Sequence, residues 1–202
     1  MAQTVGVFID YQNCHHSGHE RYCSQGEEVF RCLVHPLKLA ERIIAKRAPG
    51  GDLKEVRVYR GRPDPRKEPT LAAANDRQAQ AWSDSDPRVI VKRRPLMYPP
   101  DWFPGSPDRP REKGVDVALA IDVVRMAYEK AFEVVIVVSR DTDLIPPIEM
   151  LRDLKLAHVE IAGWDGSSRI RVSGGRRLWY HELDEEDFVA VRDTRVYIPP
   201  VR

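Results

Sequence analysis

Acidic residues end two hydrophobic segments that lie far apart in this chain of 202 residues. Asp10 follows Val5–Ile9 near the start, and Asp141 and Asp143 follow the apolar run Val134–Val138 late in the chain. Ligand sites of open α/β sheets lie beyond the carboxyl ends of parallel strands, so we expect these carboxylates to converge where their strands are neighbours. Converging carboxylates repel one another unless a cation lies among them, and Mg²⁺ and Mn²⁺ prefer oxygen ligands. The pattern therefore predicts a site for Mg²⁺ or Mn²⁺.

Three further residues are candidates for the same site. Asp116 stands in the first turn of a predicted helix and can project into the crevice. Asn13 can fix a carboxylate or reach a metal-bound water, and Ser139 offers a hydroxyl at the end of its strand. Asp122 lies six residues beyond Asp116, about 240° further round the helix, and is predicted to lie off the site.

Each acidic candidate also has a purely structural interpretation. Asp143 precedes a helical segment and suits its cap, and Asp116 is favoured by the helix dipole. Asn13 is a common turn residue. A turn-forming aspartate accounts for Asp10 or for Asp141 alone, but less readily for both at matching strand ends.

Strand-like and helix-like segments alternate along the chain, which favours an α/β fold. The predicted strands are 4–9, 54–60, 89–93, 133–138 and 158–162, with a short edge strand and an acidic turn within 179–188. The predicted helices are 36–47, 70–82, 115–130 and 144–154. In the third of these helices Val117, Ile121, Val124 and Tyr128 share one face. We expect a central, mostly parallel sheet of about five strands with helices on both faces.

Length and charge set limits on the kind of protein. A chain of this size can form a hydrophobic core without disulfides or structural metals. We expect one domain over 1–190 followed by a C-terminal tail over 191–202. The formal net charge is only +1, so any attraction for nucleic acid must come from local patches. No apolar run approaches the roughly 20 residues that span a bilayer, and the chain begins without a signal-like segment. The expectation is a soluble, cytoplasmic protein with no membrane partner.

All three cysteines and four of the six histidines fall within residues 14–35. An odd, small number of cysteines argues against a secreted disulfide framework and suits a reducing compartment. Zinc is one interpretation, although the spacing lacks the tight paired-ligand turns of structural zinc sites. The other is a polar loop with partly buried thiols.

Basic and aromatic residues suggest where RNA would bind. Residues 95–111 are too rich in proline for regular structure, and long loops of this kind are usually functional or mobile. Trp102 can stack on an unpaired base, and Arg109 can bind a phosphate. The alternative is that these basic residues form only a solvated face, as charges between apolar residues usually do. The other basic candidates are Arg57, Arg60, Arg62, Arg66, Lys67, Arg88, Lys92, Arg93, Arg94, Arg111, Arg169, Arg171, Arg176 and Arg177.

The order of motifs resembles that of the NYN domains, relatives of the PIN-domain ribonucleases, from about Thr4 to Phe188. The motifs are a strand followed by Asp-x-x-Asn, then Lys-Gly-Val-Asp, then a strand followed by Ser-x-Asp-x-Asp-Leu. The resemblance implies a PIN-like three-layer fold and metal-dependent cleavage of RNA. It implies that Asp10, Asp116, Asp141 and Asp143 are metal ligands, with Asn13 as their polar partner and Ser139 as the matching serine.

One position departs from the family pattern. Arg140 stands where the family commonly has glycine, and its side chain can obstruct the crevice or contact a phosphate. Lys113, in the Lys-Gly-Val-Asp motif, is a further candidate for substrate binding.

The sequence thus predicts a metal-dependent ribonuclease whose products carry a 5′-phosphate and a 3′-hydroxyl. The alternative is a non-catalytic NYN module that binds RNA or a protein. A phosphohydrolase of small esters shares the metal chemistry, but the first strand does not end in the Asp-x-Asp of a nucleophile. The sequence does not decide whether the protein forms a homo-oligomer.

Overall fold

The computed structural model describes residues 2–174 and 178–198. Its strands are β1 (Thr4–Asp10), β2 (Leu33–Val34), β3 (Asp52–Arg62), β4 (Val89–Pro95), β5 (Val134–Val138), β6 (His158–Trp164), β7 (Trp179–Leu183) and β8 (Arg192–Asp193). Its α-helices are α1 (Tyr11–Tyr22), α2 (Pro36–Lys46), α3 (Pro69–Ser85), α4 (Val115–Tyr128), α5 (Ile145–Asp153) and α6 (Glu185–Val191). No helix in this described part combines the length and apolar character needed to cross a bilayer.

The main sheet is parallel throughout, with the strand order β4-β3-β1-β5-β6-β7. Strand β1 lies at its centre, where Asp10 pairs with Tyr59 of β3 and Ile9 pairs with Val138 of β5. The first strand and the strand before Ser139 are therefore neighbours, which is the condition on which the convergence of their terminal acids depended. The carboxyl ends of β1, β3 and β5 therefore open at the same edge.

Helices cover both faces of the sheet, as predicted. Alternate residues of β1 point to opposite faces. Val7 and Ile9 pack with α1, α2 and α6, whereas Phe8 packs with α4 and α5. The sheet has six strands, one more than the sequence prediction of about five, because β7 adds to the edge of β6.

The segment that holds the cysteines and histidines is not the predicted polar loop. It begins with α1, which starts directly after β1 and buries Tyr11, Cys14 and His15. Cys23 and Cys32 then approach within disulfide-bonding distance, with their Cα atoms 6.6 Å apart. The histidines do not join them, because the ring of His15 bonds the carbonyl of Cys32 rather than a thiol.

The predicted acidic turn near the C-terminus is a helix. Asp184 accepts the amide of Asp187 at 3.0 Å, and Asp187 accepts the amide of Asp184 at 2.9 Å. This capping box begins α6, and the buried Asp187 carboxylate also binds Arg42 and Lys46 of α2. Paired acids at a helix N-terminus satisfy free amides and favour helix over turn.

The apolar face that the sequence indicated on α4 is the outer one. Leu119, Val123 and Met126 form the buried face of this helix. The four residues predicted to share one face lie together on the other side, where three are exposed and Val124 is half-buried: Val117, Ile121, Val124 and Tyr128. The helix is apolar on two sides, so hydrophobic spacing alone could not tell which side packs on the sheet.

Candidate active site

A cleft of about 410 Å³ opens at the carboxyl edge of the sheet. It lies between the start of α1, the start of α4 and the turn that follows β5. Ten residues line it: Asp10, Gln12, Asn13, His16, Glu20, Glu112, Val115, Asp116, Arg140 and Asp141. Three of the four predicted aspartates therefore meet in one cleft.

Asp10 is the most buried acid of the cleft, with 8% of its surface exposed. Its Oδ1 accepts the amide of Asn13 at 3.2 Å and so caps α1, and its Oδ2 accepts the hydroxyl of Ser139 at 3.0 Å. Burial raises its pKa from 3.8 to about 6, against the two hydrogen bonds that lower it. Capping explains one oxygen of Asp10, but it does not explain why the carboxylate is held in a buried, acidic cleft.

Ser139 connects Asp10 to Asp141. The Ser139 oxygen accepts the amide of Asp141 at 3.0 Å while its hydroxyl donates to Asp10. Asp141 in turn accepts the amide of Asp143 at 2.9 Å and caps the 3₁₀ turn Thr142–Leu144. The cap predicted for Asp143 is therefore made by Asp141, and helix α5 begins after this turn.

Glu112 is an acid of the cleft that the sequence reasoning missed. It ends the proline-rich loop, and its carboxylate accepts the amide of Gly61 at the end of β3. Gln12 also donates to both of its oxygens, at 3.1 and 3.3 Å, when the amide is oriented with its nitrogen towards Glu112. Burial is the main reason that its pKa rises from 4.5 to about 7, with Asp10 and Asp116 adding repulsion.

Asp116 enters the cleft from the first turn of α4. Gly114 precedes the helix with a φ of 69°, a left-handed conformation that favours glycine. This explains physically why the motif places a glycine before Val115 and Asp116. The sharp entry turn brings the aspartate to the sheet edge opposite Asp10, whose pKa it helps to raise.

The donor set fits a hard divalent cation. All four carboxylates offer oxygen, and the desolvation of Asp10 and Glu112 is a cost that a bound cation relieves. Among the described residues, no three of these acids bring a ligand oxygen within 4.8 Å of one another. Mg²⁺ usually keeps several waters and binds one or two carboxylates, so this wider arrangement suits a partly hydrated ion.

Arg140 and Asn13 meet at the wall of the cleft. The Asn13 side-chain oxygen accepts the Arg140 amide at 3.1 Å, so Asn13 fixes the turn after β5 rather than a carboxylate. The Arg140 guanidinium turns towards α1 and lies 3.6 Å from Glu20. The positive charge of Arg140 therefore lies at the side of the cleft, near α1.

Five predicted site residues do not line the cleft. Ser139 is buried behind it, where it bonds Asp10 and Asp141. Asp143 is exposed within the capped turn. Lys113 faces a separate groove on the outer side of α4. Trp102 packs edge-to-face on Tyr98, and Arg109 is exposed in the same loop.

Many of the predicted RNA-binding arginines are neutralised within the fold. Arg57 pairs with Glu55 and Asp122, which places Asp122 away from the cleft as expected. The other ion pairs are Arg62 and Arg93 with Asp76, Arg66 with Asp64, Arg88 with Asp86, and Arg169 with Glu182. Arg176 and Arg177 lie outside the described residues.

Arg60 differs from these arginines. Its guanidinium lies over the rings of Tyr11 at 4.9 Å and Trp82 at 5.4 Å, and burial lowers its pKa. It borders a second pocket of about 330 Å³ between α1 and α3, which shares His16 with the cleft. The cleft and this second pocket are therefore adjacent along the edge of the sheet.

A parallel sheet with helices on both faces and acidic residues gathered at its central carboxyl edge is consistent with a PIN-like fold. A family model described as NYN domain matches residues 4–173, and the chain belongs to this family. A crystal structure of a protein of unknown function from Vibrio parahaemolyticus matches with a TM-score of 0.52 and 15% identity, covering 80% of this chain and 82% of that one. That likeness concerns the fold alone. No curated protein matches the chain.

Proposed function

We propose that this protein is a metal-dependent ribonuclease that hydrolyses RNA phosphodiester bonds in the acidic cleft. One observation carries the proposal: Asp10, Glu112, Asp116 and Asp141 come from three separate segments and line one cleft. Two of them have pKa values raised to about 6 and about 7. Perturbed acids gathered in a cleft favour a functional site over four independent structural roles.

In this proposal Asp10, Asp116 and Asp141 would hold a partly hydrated Mg²⁺ or Mn²⁺, directly or through its waters. The ion, when bound, lowers the pKa of water and neutralises charge on the phosphate. Ser139 keeps Asp10 and Asp141 at a fixed separation through its two hydrogen bonds. Asn13 holds the turn that carries Asp141 in place, because its side-chain oxygen accepts the amide of Arg140.

Glu112 is the group best suited to move a proton. Its pKa of about 7 lies near the operating pH, where general acid–base catalysis is most effective. We assign it to accept the proton of the attacking water while the water oxygen bonds to phosphorus. The bond from phosphorus to the 3′-oxygen breaks, and that oxygen takes up a proton from solvent. The products carry a 5′-phosphate and a 3′-hydroxyl.

RNA would reach the cleft past Arg140, which is the cation on its wall. The pocket beside His16 and Arg60 offers space for the neighbouring nucleotide, since its lining includes the exposed apolar side chains of Phe30 and Leu71. Single-stranded RNA is commonly held by such a combination of apolar or aromatic walls and cations. Trp102 and Arg109 stay candidates for contacts with RNA outside the cleft.

The experiment is cleavage of end-labelled RNA by the purified chain with Mg²⁺, Mn²⁺, Ca²⁺ or chelator. Cleavage is expected with the first two ions, with 5′-phosphate at the new ends, and is expected to stop in chelator and in Asp141→Asn. Asp143→Asn is the matched control, because this acid lies next to the cleft but does not line it. Undiminished cleavage in excess chelator would contradict the metal mechanism.

A second candidate is a module that binds RNA without cutting it. Arg140 favours it, because this side chain stands on the cleft wall where the family commonly has glycine. Binding that depends on Arg140, together with intact RNA after prolonged incubation with Mn²⁺, would decide for this candidate. A small phosphomonoester hydrolysed in preference to RNA would reject both.

A further inference from the structure

Two buried nitrogen atoms beside the second pocket have no hydrogen-bond partner among the described residues. They are Arg60 Nε and Gln78 Nε2, and both residues line the pocket between α1 and α3. Gln78 is only 4% exposed. A buried donor without an acceptor is destabilising, and nearly all buried polar groups of native proteins are paired. Two free donors at one pocket therefore indicate a ligand with acceptor atoms.

The contacts within the fold explain why these two groups are left as donors. Arg60 Nη1 donates to the side-chain oxygen of Gln78, which leaves the amide nitrogen of Gln78 as its free group. The rings of Tyr11 and Trp82 lie against the Arg60 guanidinium but offer no lone pair to its Nε. Asn75, the other amide of the pocket, donates to a backbone carbonyl at 3.1 Å and needs no ligand. The two free donors are neighbours, because their side chains are bonded to each other.

The rest of the pocket suits a flat ring. Its wall includes the apolar side chains of Leu33, Phe30 and Leu71, and the last two are exposed at the surface. Its volume of about 330 Å³ falls within the range of small-molecule sites, roughly 300–1,000 Å³. His16 lines both this pocket and the acidic cleft, so a ring bound here lies beside the acids.

Two neighbouring donors select among the bases of RNA. Guanine presents N7 and O6 as adjacent acceptors, and unpaired cytosine presents N3 and O2. In adenine N7 lies beside an amino group, which is itself a donor. In uracil an N–H group separates the two carbonyl oxygens. Only guanine and cytosine therefore offer an edge that accepts both hydrogen bonds.

We propose that the second pocket binds an unpaired guanine or cytosine of the RNA through hydrogen bonds from Arg60 Nε and Gln78 Nε2. Both nitrogen atoms are buried behind the pocket wall, so the two side chains turn towards the base as it enters. The inference rests on the proposed function, since it takes RNA as the ligand, and it adds a preference for particular bases.

Fluorescence anisotropy in chelator tests it with labelled hexauridylate and with the same oligomer carrying one guanine, cytosine or adenine. The guanine or the cytosine oligomer is expected to bind roughly 5-fold or more tighter than the uracil and adenine oligomers. Where guanine is the preferred base, 7-deazaguanine, which lacks the N7 acceptor, is expected to remove the gain. Equal binding of all four oligomers would overturn the inference, as would a guanine preference that survives the 7-deaza substitution.

Gln78→Glu tests the residue. It keeps an acceptor for Arg60 and replaces the free donor, so the base preference should disappear. Gln80→Glu is the matched control, because it adds the same charge to α3 at an exposed residue and should keep the preference. Circular dichroism confirms that both variants fold, and the comparison of oligomers on the parent depends on neither. A preference that survives Gln78→Glu would overturn the assignment.

These readouts require no cleavage, so they separate the inference from the proposed activity. A base preference in a protein that leaves RNA intact would support the pocket and reject the nuclease. Cleavage by a protein that binds all four oligomers equally would reject the pocket alone.

Discussion

Ser139 donates its hydroxyl to Asp10 at 3.0 Å across a sequence separation of 129 residues. The same oxygen accepts the Asp141 amide, so one buried serine sets the relation between two acids of the cleft. Ser139 is therefore a positioning residue. Its loss should change both the free energy of unfolding and the pH dependence of activity.

For Ser139→Ala we expect the free energy of unfolding to fall by about 1–3 kcal/mol, because the buried Asp10 carboxylate loses a donor and the partly buried Asp141 amide loses its acceptor. The pKa of Asp10 should rise further, since the Ser139 bond lowers it. The activity profile should then shift to higher pH. Urea unfolding and pH–rate measurements check this, with Ser139→Thr as the variant that keeps the hydroxyl. A Thr variant as impaired as Ala would show that volume matters rather than the hydrogen bond.

Asp10 and Glu112 should each destabilise the metal-free protein as pH rises from about 4 to about 7. Their folded-state pKa values are about 6 and about 7, above their ordinary values of 3.8 and 4.5. At these two groups the unfolded chain holds fewer protons than the folded one in this window, so their contribution to stability falls with pH. Burial lowers the pKa of His15, His16 and His35, which act in the opposite direction, so the effect is measured as the difference between the parent and a variant. For Asp10 the full effect is on the order of 3 kcal/mol.

Thermal unfolding in chelator across this pH range measures the effect. Glu112→Gln keeps the acceptor for the Gly61 amide and removes the charge, so its melting temperature should exceed that of the parent by a margin that grows from pH 4 to pH 8. It should leave the melting temperature at pH 4 nearly unchanged. An unaltered pH slope in this variant would contradict a raised pKa for Glu112.

Asp141 and Asp143 should differ in their effect on cleavage. Asp141→Asn still caps the turn, since its amide oxygen accepts the Asp143 amide, but it removes a proposed metal ligand. We expect cleavage to fall by roughly 100-fold or more, while Asp143→Asn stays near the parent. Initial rates over a Mn²⁺ titration check this. Equal losses in both variants would place Asp143 in the site.

Arg140 should govern the salt dependence of RNA binding. Replacing it with alanine should lower the slope of log affinity against log salt by about 0.7, the value for one contact with single-stranded nucleic acid. Glu20→Gln should have the opposite effect on affinity, because it frees the guanidinium and removes a negative charge from the cleft. Fluorescence anisotropy in chelator measures both. Stronger binding by Arg140→Ala would show that the side chain obstructs the cleft.

The features that could be predicted from the sequence are those that depend on a local pattern of residues. The uninterrupted apolar run of β5 indicated a central strand, and the acids at the ends of β1 and β5 indicated the edge where the cleft lies. Glu112 carried no local signal, since its role depends on the Gly61 amide 51 residues away. Helix α1 was missed because its residues are mostly polar and the helix starts without a break after the strand. Residue spacing could not show which side of α4 packs on the sheet, because both sides of that helix are apolar.

The central position of β1 has a consequence for synthesis on the ribosome. Strand β1 pairs with β3 on one side and with β5 on the other, and both follow it along the chain. One of its edges therefore stays open until residues 134–138 have emerged, and non-local parallel pairing of this kind is slow. Throughout that interval the nascent chain exposes an apolar strand edge, which is a common origin of misassembly. We expect expression of this protein to benefit from low temperature or added chaperones more than its folded stability would suggest.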